Sequence, residues 1–210
     1  MEELSRRRRN RGLEKIMKRW DIINYYIKKY GFSTFLEIGH WRGECFNNVI
    51  CESKESVDPD ESCNATHKVT SDVFFKNTDK KYDIIFIDGL HECNQVDRDI
   101  KNSLKHLSPG GVIIMHDCHP DSERCQRKDF VSHQNGENWT GDTWKAFVKN
   151  RSELPYEMYV WDHDWGCGVI DTNNYKSTKT DKIPTDMDGM KYSDFIYHPE
   201  WLNFSKGVPC

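Results

Sequence analysis

Apolar and polar positions along the chain follow two periods, and the switches between them lay out the elements. Residues 10–30 put Leu13, Ile16, Met17, Trp20, Ile23 and Ile27 on one helical face, with Lys and Arg mostly elsewhere, and Gly31 follows as a closing residue. Residues 34–38 are a short apolar strand run; Gly39 to Gly43 form a turn into a helix over 44–51. A second strand closes at Val57-Asp58, a third spans 67–70, and Ser71-Asp72 reads as the cap of a short helix. The best-marked stretch is 81–120. Its β-branched run 82–87 ends on Asp88-Gly89-Leu90-His91. A helix from Glu92 carries Val96, Ile100, Leu104 and Leu107 on one face; Ser108-Pro109-Gly110-Gly111 stops it; and the apolar run 112–115 ends on His116-Asp117. Strand, helix and strand in this order form a βαβ unit.

Beyond Pro120 the pattern changes. Residues 121–138 are charged and read as a long surface loop. A helix is predicted over 143–152. The runs 156–161 and 165–170, joined by Asp162-His163-Asp164, should pair as an antiparallel hairpin. Residues 172–189 are polar without period, whereas 192–204 hold five aromatics. That segment is too apolar to be left free, so it should pack on this domain or on a second subunit of a homo-oligomer. The expected fold is α/β: a Rossmann-like, doubly wound, mostly parallel seven-stranded sheet with an antiparallel C-terminal hairpin. It divides into a basic segment and helix (1–31), a central domain (32–171) and an arm (172–210). In such sheets ligands bind beyond the carboxyl ends of the strands. Asp88, His91, His116 and Asp117 would all converge there.

Charge and cysteine usage narrow the class. The net charge of −4 supplies no global field for nucleic acid. The basic run Arg6 to Arg9 with Arg11 is the local exception, either a solvated terminus or a nucleic-acid, membrane or targeting patch. No apolar run approaches the ~20 residues of a membrane span, and no apolar secretion segment follows the basic start. The eight cysteines contain no C-x-x-C pair, which argues against a zinc ribbon and for reduced thiols in a cytoplasmic protein.

The chemistry of the first turn is specific about charge. Its spacing is G-x-x-x-G, not the dinucleotide G-x-G-x-x-G, and Glu37 stands two residues before Gly39. A pyrophosphate favours bare amides at a helix start, so an acid here suits a cationic ligand and speaks against an NAD-type oxidoreductase. Asp58 lies 19 residues after Gly39, the distance from which an acid accepts from ribose hydroxyls, with Asp60 as its rival. Asp72 either caps its helix or bonds an adenine amino group.

FLEIGHWRG, SVDPD, KYDIIFIDGLHECNQVDRDIKNSLKHLSPGGVIIMHDC and the terminal hairpin together resemble a class I S-adenosylmethionine-dependent methyltransferase. The D-G-x-H element, the G-G-V-I-x-x-x-D strand and the W-T-G-D-x-W-K segment resemble the branch of cephalosporin-hydroxylase-like and macrocin O-methyltransferase-like proteins, over residues 32–171. The resemblance implies an O-methyltransferase acting on a hydroxyl of a sugar, glycan or other small molecule. Glu37, Gly39 and Gly43 would form the cofactor loop, with Glu37 near the methionine ammonium, Asp58 on the ribose and Asp72 near adenine. Asp88 would serve cofactor, catalysis and metal; Asp88 and Asp117 would bind Mg²⁺ or another divalent cation; His91 would be the base. The family places two adjacent Asp after the second of these strands. Here His116 replaces one, which removes a hard oxygen ligand and opens the alternative of a methyltransferase-fold binding protein without activity. His116, His119, Trp139 and Asp142 are the substrate-side candidates. His119, with His163 and Asp164, reads as surface turn ahead of substrate lining, and Trp139, Trp161 and Trp165 read as core ahead of a sugar face.

Overall fold

The computed structural model describes residues 17–127, 139–176 and 183–205. The Arg-rich start, Leu13 and Ile16 of the first helical face, much of the charged loop (128–138) and part of the polar stretch (177–182) lie outside the described residues. In chain order the elements are α1 (Arg19–Tyr30), β1 (Thr34–Ile38), α2 (Glu44–Asn48), β2 (Ser53–Val57), α3 (Ser71–Lys76), β3 (Tyr82–Ile87) and α4 (Cys93–His106). There follow β4 (Leu107–Met115), α5 (Thr143–Glu153), β5 (Tyr156–Trp161), β6 (Cys167–Tyr175), α6 (Tyr192–Tyr197) and a 3₁₀ turn at Pro199–Leu202.

The six strands lie in the order β2-β1-β3-β4-β6-β5. The first four are parallel, and β6 inserts antiparallel between β4 and β5. The chain winds outward from β1 to β2, then returns to β3 on the other side, so the order reverses between β1 and β3. The period of two along the central strands separates two cores. Leu36, Ile38, Ile85, Ile87, Ile113 and Met115 face α3, α4 and α5. Phe35, Ile84, Phe86, Val112 and Ile114 face Ile22, Ile23 and Tyr26 of α1. Burial on both faces explains why these strands read as continuous apolar runs.

Four expectations are corrected. The sheet has six strands, not seven, because 67–70 contributes a single bridge between His67 and Val57. Residues 58–66 run as turns held by polar side chains: Asp58 takes the Asp60 amide and Asp60 takes the Ser62 amide. Thr70, rather than Ser71-Asp72, caps α3, with its hydroxyl accepting from the Val73 amide at 3.3 Å. β4 begins at Leu107, before the apolar run, and a register shift between Tyr82 and Ile84 absorbs the Ser108 to Gly111 turn. β6 likewise outruns its apolar part, since Asp171 accepts from Tyr30 at 2.6 Å and from the Asn173 amide at 3.1 Å.

The aromatic arm packs on its own domain. Phe195, Trp201 and Leu202 join the core beside Trp144, and Arg151 Nη1 donates to the carbonyls of Glu200 and Trp201, both at 3.1 Å. Phe204 bridges to Val160 at the sheet edge. Among the described residues, no helix is long and apolar enough to cross a membrane. Trp201→Ala should cost about 3–5 kcal/mol by emptying this contact. A urea titration should show that loss with a midpoint independent of protein concentration; a concentration-dependent midpoint would mean that the arm is shared between subunits.

Candidate functional site

At the reversal point the strand ends step across one another through backbone bonds. Gly39 N–H donates to Val57 O (2.8 Å), Asp88 N–H to Ile38 O (2.8 Å) and His116 N–H to Ile87 O (3.0 Å). Gly39 sits at φ 91°, and a Cβ there would lie 2.1 Å from the Asp88 carbonyl oxygen. Only glycine lets the β1 and β3 loops meet. A cleft of about 830 Å³ opens above this contact, within the usual range for a small-molecule site. It runs from Asp58 and Asp72 past Glu37 and Gly39 to Asp88, His91, His116 and Asp117.

The first half is acidic and partly dry. Glu37 is 1% exposed, and burial pushes its carboxyl up to about 8, against the pull of the Cys45 thiol bonded to it. Its Oε2 lies 3.2 Å from His40 Nδ1. Burial lowers His40, so this contact joins two neutral groups at pH 7 and is not an ion pair. Asp58 Oδ2 accepts from the His40 and Trp41 amides, each at 2.9 Å, which orders the glycine loop. Asp72 is half-exposed at the cleft's end, 3.5 Å from Arg98 Nε. Behind it Gln95 Nε2 bonds Ser71 Oγ at 3.2 Å and Asp99 Oδ1 at 3.1 Å, and burial lifts Asp99 to about 6. Gln95, Ser71 and Asp99 line the cleft and carried no sequence signal beyond helix positions.

The second half is a compact charged centre. Asp88 Oδ1 faces His116 Nδ1 at 3.2 Å and His91 Nε2 at 3.3 Å, and its Oδ2 faces Arg19 Nε at 3.5 Å. Asp117 Oδ2 lies 3.1 Å from His91 Nδ1 and 3.3 Å from His116 Nδ1. Asp164 Oδ2 accepts from the Arg19 amide (3.0 Å) and Nη1 (3.1 Å), and stands 3.7 Å from His116 Nε2. Burial disfavours charge on Asp88, Asp164, His91 and His116, yet the pairings prevail. His116 and His91 hold Asp88 well below the carboxylate range. Asp117 and Asp88 raise both imidazoles. His116 and Arg19 depress Asp164. Asp117 and Asp164 occupy left-handed backbone at φ 58° and 46°, and Trp165 follows at 65°. Three non-glycine residues in that region around one centre mark a site held by its surroundings.

The W-T-G-D segment clamps the His91 loop. Trp139 stacks on the His91 ring, with centroids 5.0 Å apart at 23°. Gly141 presses so closely that a Cβ would lie 1.8 Å from the His91 carbonyl oxygen. Asp142 N–H donates to that carbonyl at 3.0 Å, and its Oδ1 accepts from the Cys93 amide at 2.6 Å, at the N-terminus of α4. Asp142 therefore supports the His91 loop and does not line the cleft. His119 also lies away from the lining, bonded to Asp162 at 2.7 Å against Phe195 and Phe204. Trp161 is core, donating to Tyr26 Oη at 3.2 Å, whereas Trp139 and Trp165 line the cleft with His116.

Comparison with known proteins agrees with this geometry. A family model described as a methyltransferase domain matches residues 52–118, which contain β2, β3, α4, β4 and the Asp88, His91, His116 and Asp117 cluster. Over these residues the chain is similar to a methyltransferase domain. Among solved structures, a Klebsiella pneumoniae protein provisionally described as an O-methyltransferase superposes with a TM-score of 0.54 at 13% identity, covering 76% of this chain and 82% of that one. An O-methyltransferase from Bacillus cereus, solved in complex with SAH, gives 0.52 at 13% identity, covering 81% and 89%. At these identities the likeness is one of fold. No curated protein matches the sequence.

The site contains Arg19, which sequence reasoning did not place there, and Asp164, for which it preferred a surface turn. Arg19 sits at the start of an amphipathic helix, where a basic residue reads as solvated. Asp164 reads as surface turn, yet its side chain is 4% exposed. A divalent ion was also expected. Asp88, His116 and Asp117 each offer one ligand atom within 4.8 Å of the others. The set nevertheless fits a hard dication poorly. One of three donors is a nitrogen, and the Asp88 oxygens already face imidazole and guanidinium groups.

The buried Glu37 predicts a pH signature. With a folded value of about 8 against an unfolded one near 4.5, the native state binds more protons between these limits. Its contribution to stability therefore falls as pH rises from 4.5 to 8 and is level beyond. Urea titrations of Glu37→Gln should show the variant gaining on the parent protein between pH 5 and pH 8. A constant difference would place the Glu37 carboxyl in water.

Proposed function

We propose that the protein is an O-methyltransferase that transfers the methyl of S-adenosylmethionine to a hydroxyl of a neutral sugar, glycan or related polyol. The observation that carries this reading is a single cleft joining an acidic half, suited to a cationic cofactor, to a histidine held between two carboxylates. Glu37 would meet the ammonium, Asp58 the ribose hydroxyls, and Asp72 with the Gln95–Ser71–Asp99 group the base. Seven acidic side chains, those of Glu37, Glu44, Asp58, Asp72, Asp88, Asp99 and Asp117, line the cleft; Glu37 is largely protonated, and Arg19, His91 and His116 offset Asp88 and Asp117. The remaining acids at Glu44, Asp58, Asp72 and Asp99 disfavour phosphorylated or carboxylated acceptors relative to a neutral one. Trp139 and Trp165 beside His91 and His116 offer flat apolar faces to a sugar ring.

Bound, S-adenosylmethionine supplies an electrophilic methyl on a sulfonium. The chain supplies alignment and a base. Asp88 Oδ1 accepts a hydrogen bond from His91 Nε2–H and so fixes the tautomer. Nδ1 lies 3.1 Å from Asp117 Oδ2, and in the neutral ring it is the nitrogen assigned to accept the hydroxyl proton as the oxygen attacks. The O–CH₃ bond forms as the S–CH₃ bond breaks, the proton rests on His91, and a neutral thioether leaves. Trp139, Gly141 and Asp142 keep the ring in place for this step. No step in this reading runs through a metal.

Calorimetry should show S-adenosylmethionine binding and no NAD binding, and Asp58→Ala should weaken the former about tenfold or more. Absence of S-adenosylmethionine binding would defeat the reading. On a panel of neutral glycosides, His91→Ala should lower kcat by roughly 10²–10⁴ with cofactor affinity unchanged. A variant at full rate would remove His91 as base.

A further inference from the structure

We propose that Arg19 is the resident cation of this centre: α1 delivers its guanidinium to the place beside Asp88 that a divalent ion would otherwise fill, and methyl transfer proceeds without a metal. The inference rests on the methyltransferase reading and adds to it the source of positive charge.

Three observations converge. The first is the delivery. Arg19 is the first residue of α1, and that end of the helix is docked on the β5–β6 turn through Asp164, which accepts from the Arg19 amide at 3.0 Å and from Nη1 at 3.1 Å. Lys18 Nζ adds a second contact to Asp164 at 3.2 Å, and the Lys18 amide donates to Asp21 Oδ2 at 3.0 Å to close the helix start. Helix and hairpin thus hold the guanidinium in one place. Asp164 sits in the tight β5–β6 turn, in left-handed backbone with Trp165 and Gly166, which fixes where its carboxylate stands.

The second observation is the aim. Nη1 and the amide already staple α1 to the hairpin, and Nη2 reaches Glu44 Oε2 at 3.4 Å. Nε is left over. It is buried, makes no hydrogen bond among the described residues, lies 3.5 Å from Asp88 Oδ2, and belongs to a side chain that lines the cleft. A guanidinium is always charged and has no acceptor atoms. Its unused N–H can therefore only donate, to Asp88 or to an acceptor oxygen lying over it.

The third observation is the substitution at His116. Asp88, His116 and Asp117 keep the spacing of a cation site, but a ring nitrogen stands where a third oxygen would be. His116 Nδ1 is 3.2 Å from Asp88 Oδ1 and 3.3 Å from Asp117 Oδ2, so the ring bridges the two acids from inside. With His116 between the acids and Arg19 on the outer oxygen of Asp88, the anionic oxygens are satisfied by the chain itself. A dication entering here would stand against a permanent positive charge.

Mn²⁺, read by loss of the free-ion electron paramagnetic resonance signal, tests this without knowledge of the acceptor. The full chain, Arg19→Ala, Arg19→Gln and the double variant Arg19→Ala/Asp88→Asn are titrated after thermal melting confirms that each is folded. Arg19→Gln keeps a planar side chain and serves if Arg19→Ala does not fold. The parent protein should leave Mn²⁺ free up to millimolar concentration. Removal of the guanidinium should create one site at least tenfold tighter, and Asp88→Asn should abolish it. Sub-millimolar uptake of one Mn²⁺ by the parent protein would overturn the proposal, as would variants that bind no more tightly than the parent. Failure of the parent protein to bind S-adenosylmethionine in calorimetry would count against the cofactor reading and leave the Mn²⁺ result standing.

Discussion

A carboxylate at the buried end of a central parallel strand has little water to share its charge, and Asp88 occupies that position. The backbone contact between Gly39 and Asp88 closes the two loops over it. Its charge must then be answered by groups brought from elsewhere. His91 comes from the following loop, His116 from the end of β4, and Arg19 from a helix 69 positions earlier in the chain. Each of these needs a second acid, and Asp117 and Asp164 serve. Because one unmatched charge at such depth is costly, the five elements that carry these residues are tied to one arrangement.

The two halves of the cleft treat their acids differently. In the charged centre every carboxylate has a cationic or N–H partner. Around Glu37 the described neighbours are the Cys45 thiol and a neutral His40, and burial keeps the carboxyl largely protonated. A carboxyl held in this way is an unfavourable element of the empty protein and a favourable one once an ammonium arrives. Activity and stability pull in opposite directions at such residues. The same tension is visible in the left-handed backbone at Asp117, Asp164 and Trp165, all within the shell of the centre.

The βαβ core was legible because its two periods contrast strongly: β3 runs from Tyr82 to Ile87 as read, and α4 begins one residue after Glu92. The W-T-G-D segment was legible as important but not as a clamp, since nothing local shows that Gly141 meets the His91 carbonyl. Strand ends were misread where polar side chains carry the pairing, as at Asp171 to Asn173 in β6. The capping residue of α3 was misjudged by one or two positions because Thr70, Ser71 and Asp72 are all competent caps, and only the extended backbone at Thr70 decides between them.

Composition and periodicity alone determined that the chain is α/β, that acids rather than bare amides stand at the first turn, and that Asp88, His91, His116 and Asp117 gather at strand ends. These follow from local rules: side-chain alternation, glycine at turns, and the parallel order that places carboxyl ends together. Tertiary structure alone decided that Arg19 and Asp164 complete the centre, that Asp142 and His119 stand aside from the cleft, and that the aromatic arm folds back on its own domain. A salt bridge between residues 145 positions apart leaves no trace in either neighbourhood. Its energy depends on distance and burial, and the chain acquires both only by folding.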